Sequence, residues 1–414
     1  MARNRIGMQQ IKCSFPVFVF GVLSSVSLFL GSCQDQTKQT LLDEALASSD
    51  PAIQKVISNL EAHELQIRFT RIHREKQGIR FEDIDFQVND SVYFYPASTV
   101  KFPVAIAALE KLNNSPGIDL NSRYYIEGDT LEASFAEDIR AVFAVSDNQA
   151  NNRLFEFLGQ DQINRHLAQR GVRPLRIAHR LSTARADTLI TRPLLFLGVN
   201  DSSTTTQAIA NDPIQSLDLL GTSKGIGFRI RGELIEEPFD FSRKNYFPIS
   251  SQNALLKRVI FPEAFSADEQ LKISEEQLQF LLETMSALPK DQGYDPEEYY
   301  DSYVKFFLFG DSEEPIPPSF RIYNKVGYAY GTLTDTAYIV NEDEGVEFLL
   351  HATILVNADQ VFNDDQYEYD QIGIPFLAAL GRAVYHLEKE QSNKQEKSYF
   401  YALNWIYESR SIPQ

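Results

Sequence analysis

Cysteine is almost absent from this sequence of 414 residues. It occurs twice, as Cys13 and Cys33, and both positions lie near the start of the chain. Everything after Cys33 therefore has no possible internal disulfide, which excludes a disulfide-stapled secreted scaffold. Tryptophan occurs once and methionine three times, but phenylalanine (29) and tyrosine (19) are frequent, so material for an apolar core is ample.

Basic residues are also in short supply. Lysine and arginine together number 39 against 57 acidic residues, and the formal charge is -18. This acidic balance argues against a nucleic-acid-binding protein, which needs a basic face, and against a polybasic protein of the membrane surface. The six histidines show no spacing typical of metal ligands, so we expect neither a metal nor another cofactor.

The chain begins with a segment typical of protein export. Its first 12 residues carry three basic side chains and no acid, and an apolar run follows that is short for a membrane span. The Leu-Gly-Ser-Cys sequence ending at Cys33 resembles a bacterial lipobox. That resemblance implies a lipidated Cys33 and a protein exported to the bacterial cell envelope and anchored to a membrane. The alternative is a plain secretory signal with a chance cysteine.

The remaining sequence predicts one large domain. We assign 1–33 to a lipoprotein signal peptide, 34–60 to a tether and first helix, 61–390 to the domain and 391–414 to a C-terminal tail. Alternating apolar residues predict strands over 63–73 and 81–88 and, near the other end of the domain, two adjacent strands over 320–343 and 345–357. The middle is largely helical in pattern, with a helix-like stretch over 273–286, and a long amphipathic helix is predicted over 372–391. This order predicts an α/β (α+β) fold, with an antiparallel sheet flanked by helices and an inserted helical subdomain.

Three short motifs stand in order along the chain. They are Ser98-x-x-Lys101, Ser-Asp-Asn beginning at Ser146, and Lys-Val-Gly beginning at Lys325. Ser-x-x-Lys alone is a weak signal, and a second copy begins at Ser302, which we interpret as chance. Ser-Asp-Asn occurs by chance less often than Ser-x-x-Lys does. The order, spacing and local setting of the three give the set its weight.

Together the motifs resemble the signature of the penicillin-recognising serine hydrolases, which are class A β-lactamases and penicillin-binding peptidases. The resemblance covers roughly residues 60–390 and implies the β-lactamase/transpeptidase-like fold. It also implies an enzyme that attacks an amide, in a β-lactam or a peptidoglycan peptide, through an acyl-enzyme on Ser98. A peptidase acting on D-Ala-D-Ala peptides and a non-catalytic envelope sensor are the two alternatives.

The first motif has a direct chemical interpretation. Residues three apart on a helix share one face, so Lys101 lies one turn from Ser98. A serine hydroxyl needs a base to become a nucleophile, and lysine is a base only when its pKa is lowered. The apolar sequence after Lys101 would desolvate the amine and lower its pKa. The alternative is a helix cap followed by a lysine that extends to solvent.

The resemblance implies roles for five further residues. Ser146 would relay a proton to the leaving nitrogen, and Asn148 would hold the substrate amide and the ammonium of Lys101. Lys325 would attract a substrate carboxylate, and Gly327 would let the substrate approach the strand. The backbone N–H of Tyr328 would complete an oxyanion hole with that of Ser98.

Two departures from the family pattern bear on turnover. Class A β-lactamases have a glutamate after Ser-Asp-Asn that activates the deacylating water, but residues 173–187 contain none. His179 is the nearby base, and a structural loop histidine is the simpler interpretation. Val326 replaces the usual threonine and removes a hydroxyl that would contact a β-lactam carboxylate. We therefore predict acylation of Ser98 followed by slow deacylation.

Overall fold

The computed structural model describes residues 39–197 and 203–392. The predicted signal peptide (1–33) lies outside the described residues, as do the first part of the tether and all but the first two residues of the predicted tail. Within the described ranges, no helix combines the length and apolar character needed to cross a membrane.

Nine α-helices are described, and short 3-10 and π turns accompany them. The helices are α1 (Leu41–Leu46), α2 (Pro51–Ile57), α3 (Lys101–Asn113), α4 (Phe135–Ala144), α5 (Asn148–Leu158), α6 (Gln160–Gln169), α7 (Ile249–Ile260), α8 (Glu275–Ser286) and α9 (Ile374–Ser392). The longest of the described helices, α9, is the amphipathic helix that the sequence predicts near the end of the domain.

Fourteen strands are described, most of them short. They are β1 (Gln66–Glu75), β2 (Gly78–Phe86), β3 (Arg123–Ile126), β4 (Ala133–Ser134), β5 (Leu194–Leu197), β6 (Ser203–Thr205), β7 (Ser223–Lys224), β8 (Gly227–Ile230), β9 (Glu233–Ile235), β10 (Phe239–Asp240), β11 (Phe320–Ala329), β12 (Thr332–Asn341), β13 (Val346–Leu355) and β14 (Val361–Phe362). The five longest form one sheet.

This central sheet has the strand order β11-β12-β13-β1-β2, and every neighbouring pair is antiparallel. It joins the two ends of the domain, since Gln66 of β1 pairs with Thr353 of β13. The predicted fold class is therefore confirmed. One detail of the prediction is wrong: residues 320–357 form three strands, not two, because a turn at Tyr330 and Gly331 divides the first of them.

The two faces of the sheet pack against different helices. Successive side chains of a strand point to opposite faces, and β12 shows this clearly. Ala337 and Ile339 pack in the core beneath α1, α2 and α9, whereas Tyr338 and Val340 pack in the core that holds α3 to α8. The sheet is thus covered on both sides, and the helices of the middle segment lie on one of its faces.

The first two helices pack in the core and not on the surface. Thr40 caps α1, where its side chain accepts from Asp43 N and the Asp43 carboxylate accepts in return from Thr40 N. Leu41 and Leu42 of this helix are almost completely buried and pack in the same core as α9. The described part of the segment predicted as a tether and first helix is therefore packed against the domain.

Candidate functional site

The fold brings all three motifs to one place. Ser98 lies in a 3-10 turn over residues 97–100, and Lys101 is the first residue of α3. Ser146 immediately precedes the capping residue of α5, and Lys325 lies in the edge strand β11. Residues far apart in the sequence thus converge where two helix starts meet the edge strand.

The hydroxyl of Ser146 lies between two amines. Lys101 Nζ donates to Ser146 Oγ at 3.1 Å and also to the backbone carbonyl of Ser146. Lys325 Nζ donates to the same Oγ at 2.9 Å. A serine oxygen has two lone pairs, and both are used here. The hydroxyl hydrogen of Ser146 is therefore free to be donated to a third group.

Strained backbone marks this region. Ala97, just before Ser98, has φ of +46°, and Ser146 has φ of +57°. Side-chain-bearing residues enter this left-handed region at a cost, and such residues concentrate at functional sites. Asp147 fixes the second turn, because its carboxylate accepts a hydrogen bond from Ala150 N at 2.7 Å. The two turns set the directions of the Ser98 and Ser146 side chains.

Lys101 is completely buried. It begins a helix whose residues are buried from Lys101 to Glu110. Burial lowers the pKa of the Lys101 amine to about 7, and the nearby Asp147 carboxylate raises it by a smaller amount. Close to neutral pH a large share of the Lys101 side chain is therefore uncharged and able to accept a proton.

Lys325 is buried as well. Its Nζ donates to the backbone carbonyl of Val326 at 2.8 Å in addition to Ser146. Burial first, and the charge of Lys101 second, hold the pKa of Lys325 well below its usual value. Lys325 is thus enclosed beside Ser146, and in this structure its amine is not exposed for the contact with a substrate carboxylate that the resemblance implies. Val326 is also buried, in the apolar core beneath α9, so its side chain does not line the site.

Ser98 and Gly327 are in direct backbone contact. A Cβ built on Gly327 would come within 2.6 Å of Ser98 N and 2.9 Å of the carbonyl oxygen of Pro96. Glycine is therefore needed here so that β11 can lie against the turn that carries Ser98. No hydrogen bond from the Ser98 hydroxyl to another described residue is present, and Ser98 is partly exposed.

A cleft of about 530 Å³ opens in front of Ser98. Of the predicted site residues, Ser98, Asn148 and Tyr328 line it. Lys101 and Lys325 are buried and are not lining residues, and Ser146, which both amines contact, is partly exposed. The Tyr328 side chain is half exposed. The volume suits a ligand of drug-like size.

Asn148 has a different partner from the one that the resemblance implies. Its Nδ2 donates to Ser182 Oγ at 3.0 Å, and no hydrogen bond joins it to Lys101 in the described structure. Ser182 has φ of +48° and lines the same cleft. Asn148 thus ties the start of α5 to the loop after α6 and presents its amide to the cleft.

The loop without a glutamate forms one wall of the cleft. Arg180 of this loop makes a buried ion pair with Glu156, at 2.8 Å from Nη2 to Oε2, which anchors the wall to α5. His179 Nδ1 donates to the carbonyl of Arg180 at 2.7 Å, and burial lowers the pKa of His179 to about 4. His179 is therefore neutral at physiological pH. Its Nδ1 is held by the loop, and its buried Nε2 has no hydrogen-bond partner among the described residues.

The second Ser-x-x-Lys motif lies outside the cleft. Lys305 is fully buried, and its Nζ donates to the carbonyls of Met285 and Ile322 and to Asn324 Oδ1, at 2.7 to 3.0 Å. Ser302 Oγ donates to a backbone carbonyl in the same segment. These contacts attach the segment before β11 to the strand, so this copy of the motif has a structural role.

Several cleft residues carried no signal in the sequence. They come from the long segment before α7, from the turn between β11 and β12 and from the segment before α9, and include Lys244, Tyr330, Tyr367 and Tyr369. None of these segments contains a recognisable motif. Among the described residues, no group of three acidic, histidine or cysteine side chains could hold a metal ion.

Comparison with known proteins agrees with this geometry. Residues 50–212 match the model of the β-lactamase enzyme family. The matched range contains Ser98, Lys101, Ser146 and Asn148, and it ends before Lys325. This match confirms the resemblance to the penicillin-recognising serine hydrolases that the motifs predict, so this part of the chain is β-lactamase-like. No curated protein matches the chain.

Solved structures give a more distant likeness. A β-lactamase from Xanthomonas campestris pv. campestris is 16% identical, over 84% of this chain and 99% of its own, with a TM-score of 0.49. A β-lactamase from Sphaerobacter thermophilus is 14% identical, over 80% of this chain and 94% of its own, with a TM-score of 0.47. PBP-A is also 14% identical, over 86% of this chain and 96% of its own, with a TM-score of 0.45. At such low identity the activities of these proteins do not transfer to this chain.

Proposed function

We propose that this protein is an exported, lipid-anchored serine hydrolase that opens an amide, including that of a β-lactam, through an acyl-enzyme on Ser98. The observation that supports the proposal most is the pair of buried amines, Lys101 and Lys325, on the single hydroxyl of Ser146. Lys101 of this cluster lies one turn after Ser98, which lines the cleft. Burying two amines beside one hydroxyl costs desolvation free energy, and a hydroxyl shared in this way can pass a proton between groups.

Acylation uses the cluster in sequence. The neutral Lys101 amine takes the proton of the Ser98 hydroxyl, and Ser98 Oγ forms a bond to the substrate carbonyl carbon. The carbonyl oxygen gains the negative charge and is stabilised by the backbone N–H groups of Ser98 and Tyr328. The oxyanion re-forms the carbonyl as the carbon–nitrogen bond breaks, and Ser146 donates its hydrogen to the leaving nitrogen. Lys101 then returns to Ser146 the proton that it took from Ser98, which restores the neutral amine.

Deacylation lacks an evident base. The one carboxylate among the described residues lining the cleft is Asp365, which is exposed. His179 also lines the cleft, but burial lowers its pKa to about 4, which makes it a weak base. Water activation is therefore weak, and the acyl-enzyme is long-lived. This observation favours a second candidate function, a peptidase directed at D-Ala-D-Ala peptides of peptidoglycan, since a penicillin adduct persists on such enzymes.

The decisive experiment is intact-mass analysis after incubation with a fluorescent penicillin. We expect one added penicillin per chain, lost over minutes to hours, and no addition to the Ser98→Ala variant. An unmodified wild-type mass with folded protein would support the non-catalytic alternative, an envelope binding or sensor protein. Rapid turnover of a chromogenic cephalosporin would contradict slow deacylation.

The anchor is tested separately. Lipidation of Cys33 would add fatty acyl mass to the exported protein and place it in the membrane fraction. Cys33→Ser should then carry no acyl mass. An unlipidated wild type would contradict the anchor without bearing on the chemistry of Ser98.

A further inference from the structure

Lys244 stands out among the charged residues of the cleft. It lies in the segment before α7 and lines the same cavity as Ser98, His179 and Tyr328. Its side chain is half-buried, and no hydrogen bond or ion pair from Nζ to another described residue is present. An ammonium group is thus presented to the cleft in a protein whose overall charge is strongly negative.

The other cations around the cleft already have partners. Arg180 is paired with Glu156, and Arg176 donates to the backbone carbonyls of Gln215, Ser242 and Lys244. The buried amines of Lys101 and Lys325 donate to Ser146. An anionic group entering the cleft therefore meets one uncompensated positive charge among the described lining residues.

The backbone around Lys244 is firmly held. Lys244 N donates to the carbonyl of Phe241 at 2.9 Å, and Arg176 Nε donates to the carbonyl of Lys244 at 3.1 Å. The next residue, Asn245, is completely buried, and its Oδ1 accepts from the backbone N–H groups of Ala178 and His179. These bonds join Lys244 to the wall formed by the loop of His179. The backbone from which the Lys244 side chain extends is therefore preorganised, while its ammonium group stays available to a ligand.

The location of this wall indicates which part of a substrate it meets. In the proposed reaction the leaving nitrogen lies next to Ser146 and Lys325, so the amine side of the substrate occupies that end of the cleft. Lys244 is joined instead to the loop of His179, because its neighbour Asn245 accepts hydrogen bonds from Ala178 and His179. It therefore faces the acyl side of the amide.

We propose that Lys244 is a specificity-determining residue that binds an anionic group on the acyl side chain of the substrate. This inference rests on the proposed function and extends it: the preferred substrates carry a carboxylate on the acyl side of the scissile amide. The contact is a charge-assisted hydrogen bond in a partly desolvated site.

Three penicillins that differ at one position test the proposal. Benzylpenicillin, its α-carboxy derivative and its α-amino derivative present a neutral, an anionic and a cationic acyl side chain. We would measure the second-order rate of Ser98 acylation by intact mass for wild type, Lys244→Met, Lys244→Glu and the matched control Arg243→Met. Arg243 is the adjacent, exposed cation and is not among the residues that line the cleft.

We expect Lys244→Met to slow acylation by the α-carboxy compound about fivefold or more while changing benzylpenicillin less than about twofold. Lys244→Glu should reverse the preference towards the α-amino compound, and Arg243→Met should leave the order unchanged. An equal loss for all three compounds, or the same shift in Arg243→Met, would overturn the proposal.

A binding measurement separates this proposal from the proposed function. Ser98→Ala cannot be acylated, so calorimetry on that background reports binding of the same three compounds without chemistry. If wild type forms no adduct with any of them, the proposed function fails. Lys244 is then judged by whether Ser98→Ala binds the α-carboxy compound more tightly than Ser98→Ala/Lys244→Met does.

Discussion

Gly327 of the edge strand lies against the backbone nitrogen of Ser98, so closely that a Cβ on Gly327 would approach that nitrogen to 2.6 Å. Backbone cannot yield as the end of a flexible side chain can. The short distance between β11 and the turn that carries Ser98 is therefore possible only because residue 327 has no Cβ. This contact gives Gly327 a packing function in addition to any contact with substrate.

Gly327→Ala should push the strand away from the Ser98 turn. We expect a loss of stability of about 1 to 3 kcal/mol from overpacking. Ser98 acylation should slow by roughly tenfold or more, because small displacements of catalytic groups are costly. Thermal unfolding and the acylation rate measure the two effects. Thr334→Ser, at the position paired with Gly327 on β12, is the control and should change neither greatly.

The pH dependence of acylation should report Lys101. Because burial lowers its pKa to about 7, the neutral amine is the minor form below that pH and the major form above it. The acylation rate should rise about tenfold per pH unit below pH 7 and level off above it. Lys101→Arg, whose side chain stays charged, should show no rise and almost no acylation. A flat wild-type profile between pH 5 and 9 would exclude Lys101 as the base.

Ser146→Ala should remove the proton path to the leaving nitrogen. Proton transfer by a positioned group contributes roughly 100-fold or more, so we expect a loss of that order in the rate of acylation by a penicillin. Ser302→Ala, in the structural copy of the Ser-x-x-Lys motif, is the matched control and should acylate at the wild-type rate. Comparable rates for the two variants would contradict the role of Ser146.

Lys305→Met should lower the stability of the fold, because Lys305 has a structural role and lies outside the cleft. The change leaves three acceptors without their donor, among them Asn324 Oδ1, whose amide in turn donates to the buried Asp335. Removing one member of a buried charged network costs about 3 kcal/mol or more. Lys389→Met, which breaks a half-exposed ion pair with Glu344, should cost less than about 1 kcal/mol. Denaturant unfolding of both variants measures the difference.

Local patterns predicted many elements of the fold correctly. Alternation in β1 and β2 and the periodicity of α8 and α9 are properties of short segments, and the structure has these elements where they are expected. The division between β11 and β12 was missed because apolar alternation continues through Tyr330 and Gly331. Both residues have positive φ, 53° for Tyr330 and 72° for Gly331. A turn of this kind is difficult to predict from sequence when its first residue is not glycine, asparagine or aspartate.

The sequence by itself determined the chemical groups and their order: a serine and a lysine one helical turn apart, a Ser-Asp-Asn turn and a lysine on a late strand. Only the tertiary structure decided that Lys101 and Lys325 are both buried against Ser146, and that Lys244 and several tyrosines join the cleft. The reason is physical. A lowered pKa depends on desolvation and on partners that here lie 45 and 179 residues apart, and neither is a property of any short segment.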